Sequence, residues 1–218
     1  RQGNRLVTFV KQSWKKSMGR DKKYHREELL GRALQLFWQR GYNATSTAEL
    51  VEELGVNRKT MYSEFGSKEA LFTAVLDHYN QSILGHILAP IEAEDASIEG
   101  IKELFLNLAV IIEKNPNGPG CLMCQAASER AAVDCDIAPY IDRYFERIEE
   151  GFRHALQNAQ ADRHLNSPMD VSRTAAFLTT CFIGAVTGIR AGAPSGQIRS
   201  TYETIRLLLD SNAGKLDL

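Results

Sequence analysis

The stretch Gly41-Tyr-Asn-Ala-Thr-Ser-Thr-Ala-Glu-Leu-Val-Glu-Glu-Leu-Gly55-Val-Asn-Arg-Lys-Thr-Met-Tyr-Ser-Glu-Phe-Gly66-Ser-Lys-Glu-Ala-Leu-Phe72 decides the fold of this 218-residue chain. Ser46-Thr-Ala-Glu49 has the form of a capping box, in which the serine and the glutamate satisfy each other's free backbone N–H groups. Ala48, Leu50, Val51 and Leu54 recur at helical spacing and predict an apolar face. Gly55 stands where a helix ends in a left-handed residue. Val56 can plug the gap beyond it, and Asn57 can cap a second helix. In that helix Met61 and Phe65 point inward together, which leaves Arg58, Lys59, Thr60, Tyr62 and Ser63 facing outward. Ser67 caps a further helix, with Lys68 in its first turn beside free N–H groups, a good place to hold a phosphate. Two short helices, a glycine turn and a polar second helix make the layout of a helix-turn-helix DNA reader, whose second helix meets base edges through its N-terminal residues.

The segment closely resembles the DNA-binding domain of the TetR, or tetracycline-repressor-like, family of bacterial regulators. The resemblance lies in Gly41-Tyr42, Thr45-Ser46-Thr47, Leu54-Gly55-Val56, Thr60-Met61-Tyr62, Phe65 and Ser67-Lys68-Glu69-Ala70-Leu71-Phe72. It implies phosphate contacts for Thr47, Tyr62 and Lys68, and base or phosphate contacts for Arg58, Lys59, Thr60 and Ser63. It implies a repressor released from a palindromic operator when a small molecule repositions the helix after Ser67. Glu64 departs from the pattern, where a neutral residue is common. A carboxylate there would be repelled by phosphate or would accept from a cytosine amine.

Charge is divided along the chain. Residues 1–68 hold 14 Lys/Arg against 7 Asp/Glu, a net of +7. Residues 69–218 hold 12 against 20, a net of −8. A basic N-terminal part on an acidic body suits a polyanion bound at one end only. Within it, residues 1–22 form a basic extension. Arg1, Arg5, Lys11, Lys15, Lys16, Arg20 and Lys22 there, with Lys23 beyond, read as an arm along the DNA backbone or as an extension without a role of its own. Leu6, Val7, Phe9, Val10 and Trp14 allow a short amphipathic helix within it, and Met18 is a plausible natural start. The composition, 44 % hydrophobic and 24 % charged, is that of an ordinary globular protein and predicts a cytoplasmic one. No apolar run is expected to span a membrane.

Period-2 patterning is absent, so the expected fold is all-α. A helix-turn-helix domain over residues 23–72 precedes a ligand-binding and dimerisation domain over 73–218. Helices are predicted over 23–40, from 68 to roughly 86 with Pro90 closing the segment, 98–114, 121–133, 136–158, from Ser167-Pro168 to 191, and 197–209. The last two carry unusually apolar stripes. The resemblance implies that they pair with a second copy, and Phe182, Gly184, Ala185, Gly188, Ile189, Ile198, Tyr202 and Ile205 are the expected interface. It also implies an inducer pocket among the middle helices. Phe105, Leu108, Tyr144, Phe145, Phe152 and Phe177 are expected walls, and Gln125, Ser128, Arg130 and Tyr144 are equal candidates for the polar groups.

Four cysteines remain. Cys121-Leu-Met-Cys124 is a C-x-x-C at a predicted helix start, where thiol pKa values fall. A redox-active or thiol-sensing protein, or a soft-metal site completed by Cys135, follows as an alternative; packing is the plainer reading. The expectation is no cofactor and no metal, since neither a second C-x-x-C nor a nearby His completes a zinc set. Catalytic triads, phosphate loops and paired carboxylates do not stand out, so no enzyme is expected.

Overall fold

The computed structural model describes residues 25–115, 118–133, 135–162 and 169–212. All regular structure among them is helical. In chain order the helices are α1 (Arg26–Arg40), α2 (Thr47–Leu54), α3 (Arg58–Phe65), α4 (Lys68–Tyr79), α5 (Gly85–Glu92), α6 (Ile98–Lys114), α7 (Leu122–Glu129), α8 (Ala138–Ala161), α9 (Val171–Ala191) and α10 (Ser195–Asn212). One π turn, Asn80–Leu84, joins α4 to α5. The basic arm expected over residues 1–22 lies outside the described residues.

The chain divides into two compact units. One takes the described residues up to Leu84 together with Cys121–Arg143; the other takes Gly85–Gly120 and the described residues from Tyr144 onward. The first unit therefore adds α7 to the helices of the DNA reader.

In the first unit Leu29, Ala33, Leu34 and Phe37 of α1 are buried with Leu50, Leu54, Met61, Phe65, Leu71, Phe72 and Val75. Phe37 meets Phe72 edge-on at 4.9 Å between centroids, and Tyr42 lies 4.8 Å from Phe72. His25 is extended, so α1 starts at Arg26, three residues later than the periodicity implies. Ala48, expected inward, is exposed, and Leu50 and Leu54 carry the α2 contact.

In the second unit α6 packs on α5, α9 and α10. Phe105 and Phe152 stack 5.8 Å apart at its centre. Lys102 bridges Glu99 at 2.8 Å and Asp210 at 2.5 Å, tying α6 to α10. Arg147 of α8 holds Glu92 of α5 through two bonds of 2.6 and 2.8 Å. Pro90, expected to close its segment, lies inside α5. A proline removes one helical hydrogen bond. Here α5 is held past it by close packing on α6, where a β-carbon on Gly100 would stand 2.1 Å from the Pro90 carbonyl oxygen.

Asp170 is the cap of α9, accepting from the Arg173 N–H at 3.0 Å, and the helix begins at Val171. The cap expected at Ser167-Pro168 lies outside the described residues. By length and composition alone α9 is the one described helix long and apolar enough to cross a membrane, a test that a core helix of a globular protein also passes.

Candidate nucleic-acid interface

Local chemistry fixes the reader. Glu49 N–H donates to Ser46 Oγ at 3.2 Å, and Ser46 N–H donates to Glu49 Oε2 at 2.8 Å, so the capping box is complete. Arg40 of α1 pairs with the same carboxylate. The Ser46 backbone bond, then its hydroxyl, then Arg40 hold the Glu49 carboxyl below its ordinary value. Gly55 ends α2 at φ +66°, ψ +27°, a left-handed conformation that glycine adopts without steric cost. Two residues on, Asn57 Oδ1 accepts from the Thr60 N–H at 2.8 Å and starts α3. The short turn lets α3 emerge with Met61 and Phe65 buried.

Its other face is open. Arg58, Lys59, Tyr62 and Ser63 are exposed, and Glu64 is half-buried. The Arg58 guanidinium lies over the Tyr62 ring, 5.6 Å from its centroid. The Tyr62 phenol is held below its ordinary range by Arg58 first and the Thr47 hydroxyl second, so Thr47, Arg58 and Tyr62 form one polar cluster. Thr60, expected to face outward, is half-buried and lines a cleft with Glu28, Arg32, Leu54 and Val56.

Ser67 Oγ accepts from the Ala70 N–H at 3.1 Å and caps α4. Lys68, its first residue, is half-buried, with Nζ 4.0 Å from the Tyr42 ring centroid. Tyr42 in turn donates its hydroxyl to Glu69 at 2.9 Å. The aromatic face holds the ammonium in a defined place. The sequence reading gave Tyr42 no positioning role, though its place before the cap was a usable signal. It also missed a contact from α7. Glu129 accepts the Asn43 backbone N–H at 3.0 Å and the Gln125 side-chain amide at 3.2 Å. Asn43 and Glu129 lie 86 residues apart, and no local pattern announces their contact.

The expected interface and pocket residues differ in burial. Phe182, Ala185, Ile198 and Ile205 are buried in the chain's own second unit, and Gly188 faces Ala193 and Ile198. Ile189 and Tyr202 are half-buried. Of the eight, Gly184 alone faces open space. The outer face of α9 and α10 instead shows Phe177, Thr180, Gly184, Thr187, Thr204, Leu207 and Leu208. Of the expected pocket walls, Phe105, Leu108, Tyr144 and Phe152 are buried, whereas Phe145 is 38 % and Phe177 47 % exposed. Gln125 belongs to the first unit and is buried, and its amide oxygen has no hydrogen-bond partner.

Among the described residues no three His, Cys, Asp or Glu side chains converge to hold a metal ion. The four cysteines carry no disulfide. Cys121 is buried and Cys124 and Cys135 half-buried; burial raises the thiol pKa of half-buried Cys181 on α9.

A capped helix pair about a left-handed glycine, with a basic and hydroxylated outer face, defines a helix-turn-helix DNA-binding regulator. The family described as bacterial regulatory proteins, tetR family, matches residues 29–75. The chain is 33 % identical over 189 residues to the HTH-type transcriptional repressor ComR of Escherichia coli K12, covering 86 % of this chain and 90 % of that one. It belongs to the tetR family of bacterial transcriptional regulators. The fold matches a cysteine mutant of the TetR-family regulator CifR complexed with 26-base-pair operator DNA: TM-score 0.71, 24 % identity, covering 86 % of this chain and 98 % of that one. It also matches a TetR regulator from Chloroflexus aurantiacus with a TM-score of 0.75 at 19 % identity, covering 86 % and 95 %.

Proposed function

We propose that this chain is a cytoplasmic, homodimeric repressor that reads a palindromic DNA duplex with α3 of each copy and leaves it when a small molecule binds. The observation that carries the reading is the outer face of α3. Arg58 and Lys59 are exposed at its N-terminal end, where a recognition helix meets base edges. Thr47, Tyr62 and Lys68 flank that face, where phosphates run, and Ser63 completes it. Two-fold pairing draws on the apolar outer face of α9 and α10, since one helix-turn-helix spans too few bases to select a site alone. Release draws on Gln125, whose unpartnered buried oxygen can accept from a ligand. A ligand acts only by preferring one of two states.

Selection from random duplexes tests the reading. The expected product is an enriched palindrome, bound by a dimer with an affinity that falls steeply with salt. Recovery of no enriched palindrome overturns it.

A further inference from the structure

The sulfurs of Cys121 and Cys124 belong to one end of α7. Cys121 is the N-cap, extended at φ −98°, ψ 124°, and its side chain makes no cap hydrogen bond; Cys124 is the third helical residue. Side chains at those two positions meet across the first turn, as Ser46 and Glu49 do in α2. A disulfide needs α-carbons about 4.4–6.8 Å apart, a separation that one helical turn provides.

Tyr79, the last residue of α4, completes the cluster. It is buried, and its hydroxyl donates to Cys121 Sγ at 3.6 Å. Burial first, and the nearby Cys121 after it, raise the Tyr79 phenol pKa, and Cys124 lies within electrostatic reach of the same hydroxyl. The Tyr79 ring meets Trp38 of α1 edge-on at 5.4 Å. At the other end of α7, Glu129 holds the Asn43 N–H, and a β-carbon on Gly41 would stand 2.1 Å from the same carboxylate. Helix α7 therefore grips the DNA-reading helices twice, through Tyr79 and Trp38 on α1 and through Glu129 at the turn into α2, all within the first unit.

We infer that Cys121 and Cys124 form a peroxide-reactive dithiol whose oxidation loosens the helix-turn-helix domain's hold on DNA. Half-buried Cys124 meets the oxidant first. Its thiolate attacks one peroxide oxygen, the O–O bond breaks, and the other oxygen leaves as water with the thiol proton. The product is a sulfenic acid on Cys124. The Cys121 sulfur then attacks Cys124 Sγ. The S–S bond forms, the S–O bond breaks, and hydroxide leaves with the Cys121 proton as a second water. Two electrons pass from the two thiols to one hydrogen peroxide. The disulfide draws the Cys121 sulfur away from the Tyr79 hydroxyl, so the contact of α7 with α4 changes. The output rests on the DNA-binding reading above, whereas the chemistry does not.

The test uses the full reduced chain and one equivalent of hydrogen peroxide. The expected result is loss of two thiols, mapped by mass to a disulfide between Cys121 and Cys124 in the normal chain and in Cys135→Ser/Cys181→Ser. Amide exchange at residues 41–47 should quicken, and affinity for the selected duplex should fall at least roughly fivefold. Dithiothreitol should reverse all three, and Cys124→Ser, with its helix content checked by circular dichroism, should show none of them. Unreacted thiols, a different pairing, sulfinic acid alone, or a disulfide that changes neither exchange nor affinity overturns the inference. If selection yields no duplex, the DNA reading fails by itself, and thiol mapping with amide exchange still decides the dithiol.

Discussion

Helix α3 and helix α9 both run along an open surface, yet only one of them declares its faces in the sequence. In α3 the apolar residues Met61 and Phe65 are four apart, and the exposed positions at either side are Arg58, Lys59, Tyr62 and Ser63. Inside and outside differ in chemistry, so period and polarity agree. In α9 the inner face holds Ala175, Leu178, Phe182, Ala185 and Val186, and the outer face holds Phe177, Thr180, Gly184 and Thr187. Both faces are apolar or nearly so. Periodicity then finds a helix but cannot tell a chain's own core from a surface that another copy would cover.

The sharpest way to break this comparison is to charge each face of α9 in turn. Phe182→Glu should unfold the second unit, because it buries an unpaired carboxylate in a closed core; a melting temperature lower by about 10 °C or more is expected in a thermal scan. A normally stable Phe182→Glu would return that residue to the interface. Phe177→Asp with Leu207→Asp, on the outer face, should keep the helix content yet weaken self-association by roughly a hundredfold in sedimentation. An unchanged dimer there means that the pairing surface lies elsewhere.

On the α3 side the expected effects are smaller and concern base preference more than folding. Arg58→Ala should change which bases are preferred at one operator position, at a cost of about 1–3 kcal/mol, while Lys68→Ala should weaken all duplexes about equally. A panel of operator variants separates the two, and equal loss everywhere for Arg58→Ala makes it a backbone contact.

The smallest expected effect concerns acid. The hydrogen bond from Lys102 first, and Arg206 after it, hold the Asp210 carboxyl below its ordinary value of 3.8. A depressed folded value adds stability above the ordinary value, and that stability is lost as pH falls through the folded one. For Lys102 burial opposes its charge, but the bonds to Asp210 and Glu99 outweigh it and raise its pKa. Its share is present below the ordinary lysine value and lost as pH rises past the folded one. Urea midpoints between about pH 2 and 5 should therefore fall slightly less for Asp210→Asn than for the normal chain, because exposed ion pairs are worth little. Parallel curves would show that the pair does not link α6 to α10 energetically.

What was legible follows the same division. Ser46, Glu49, Gly55, Asn57 and Ser67 act within three residues of themselves, so short-range chemistry announces the reader and its bounds. Phe105, Phe152 and Tyr144 are buried, and aromatics at helical spacing serve a cavity or a core equally well. The hold of Glu129 on Asn43 depends on how the chain returns to itself, which no window of sequence contains. Pro90 misled because a local rule gave way to packing on Gly100.

The half-covered surface of α9 also bears on how a copy survives alone. An apolar helix that stays open between synthesis and assembly invites sticking to whatever it meets. Thr180, Gly184 and Thr187 dilute that stripe with hydroxyls and bare backbone, while their small size leaves room for another helix to come close. Such a face tolerates water for a time and still fits a mate. The stability of the assembled form then rises with the amount of protein present, so the number of copies in a cell sets how much of it can act.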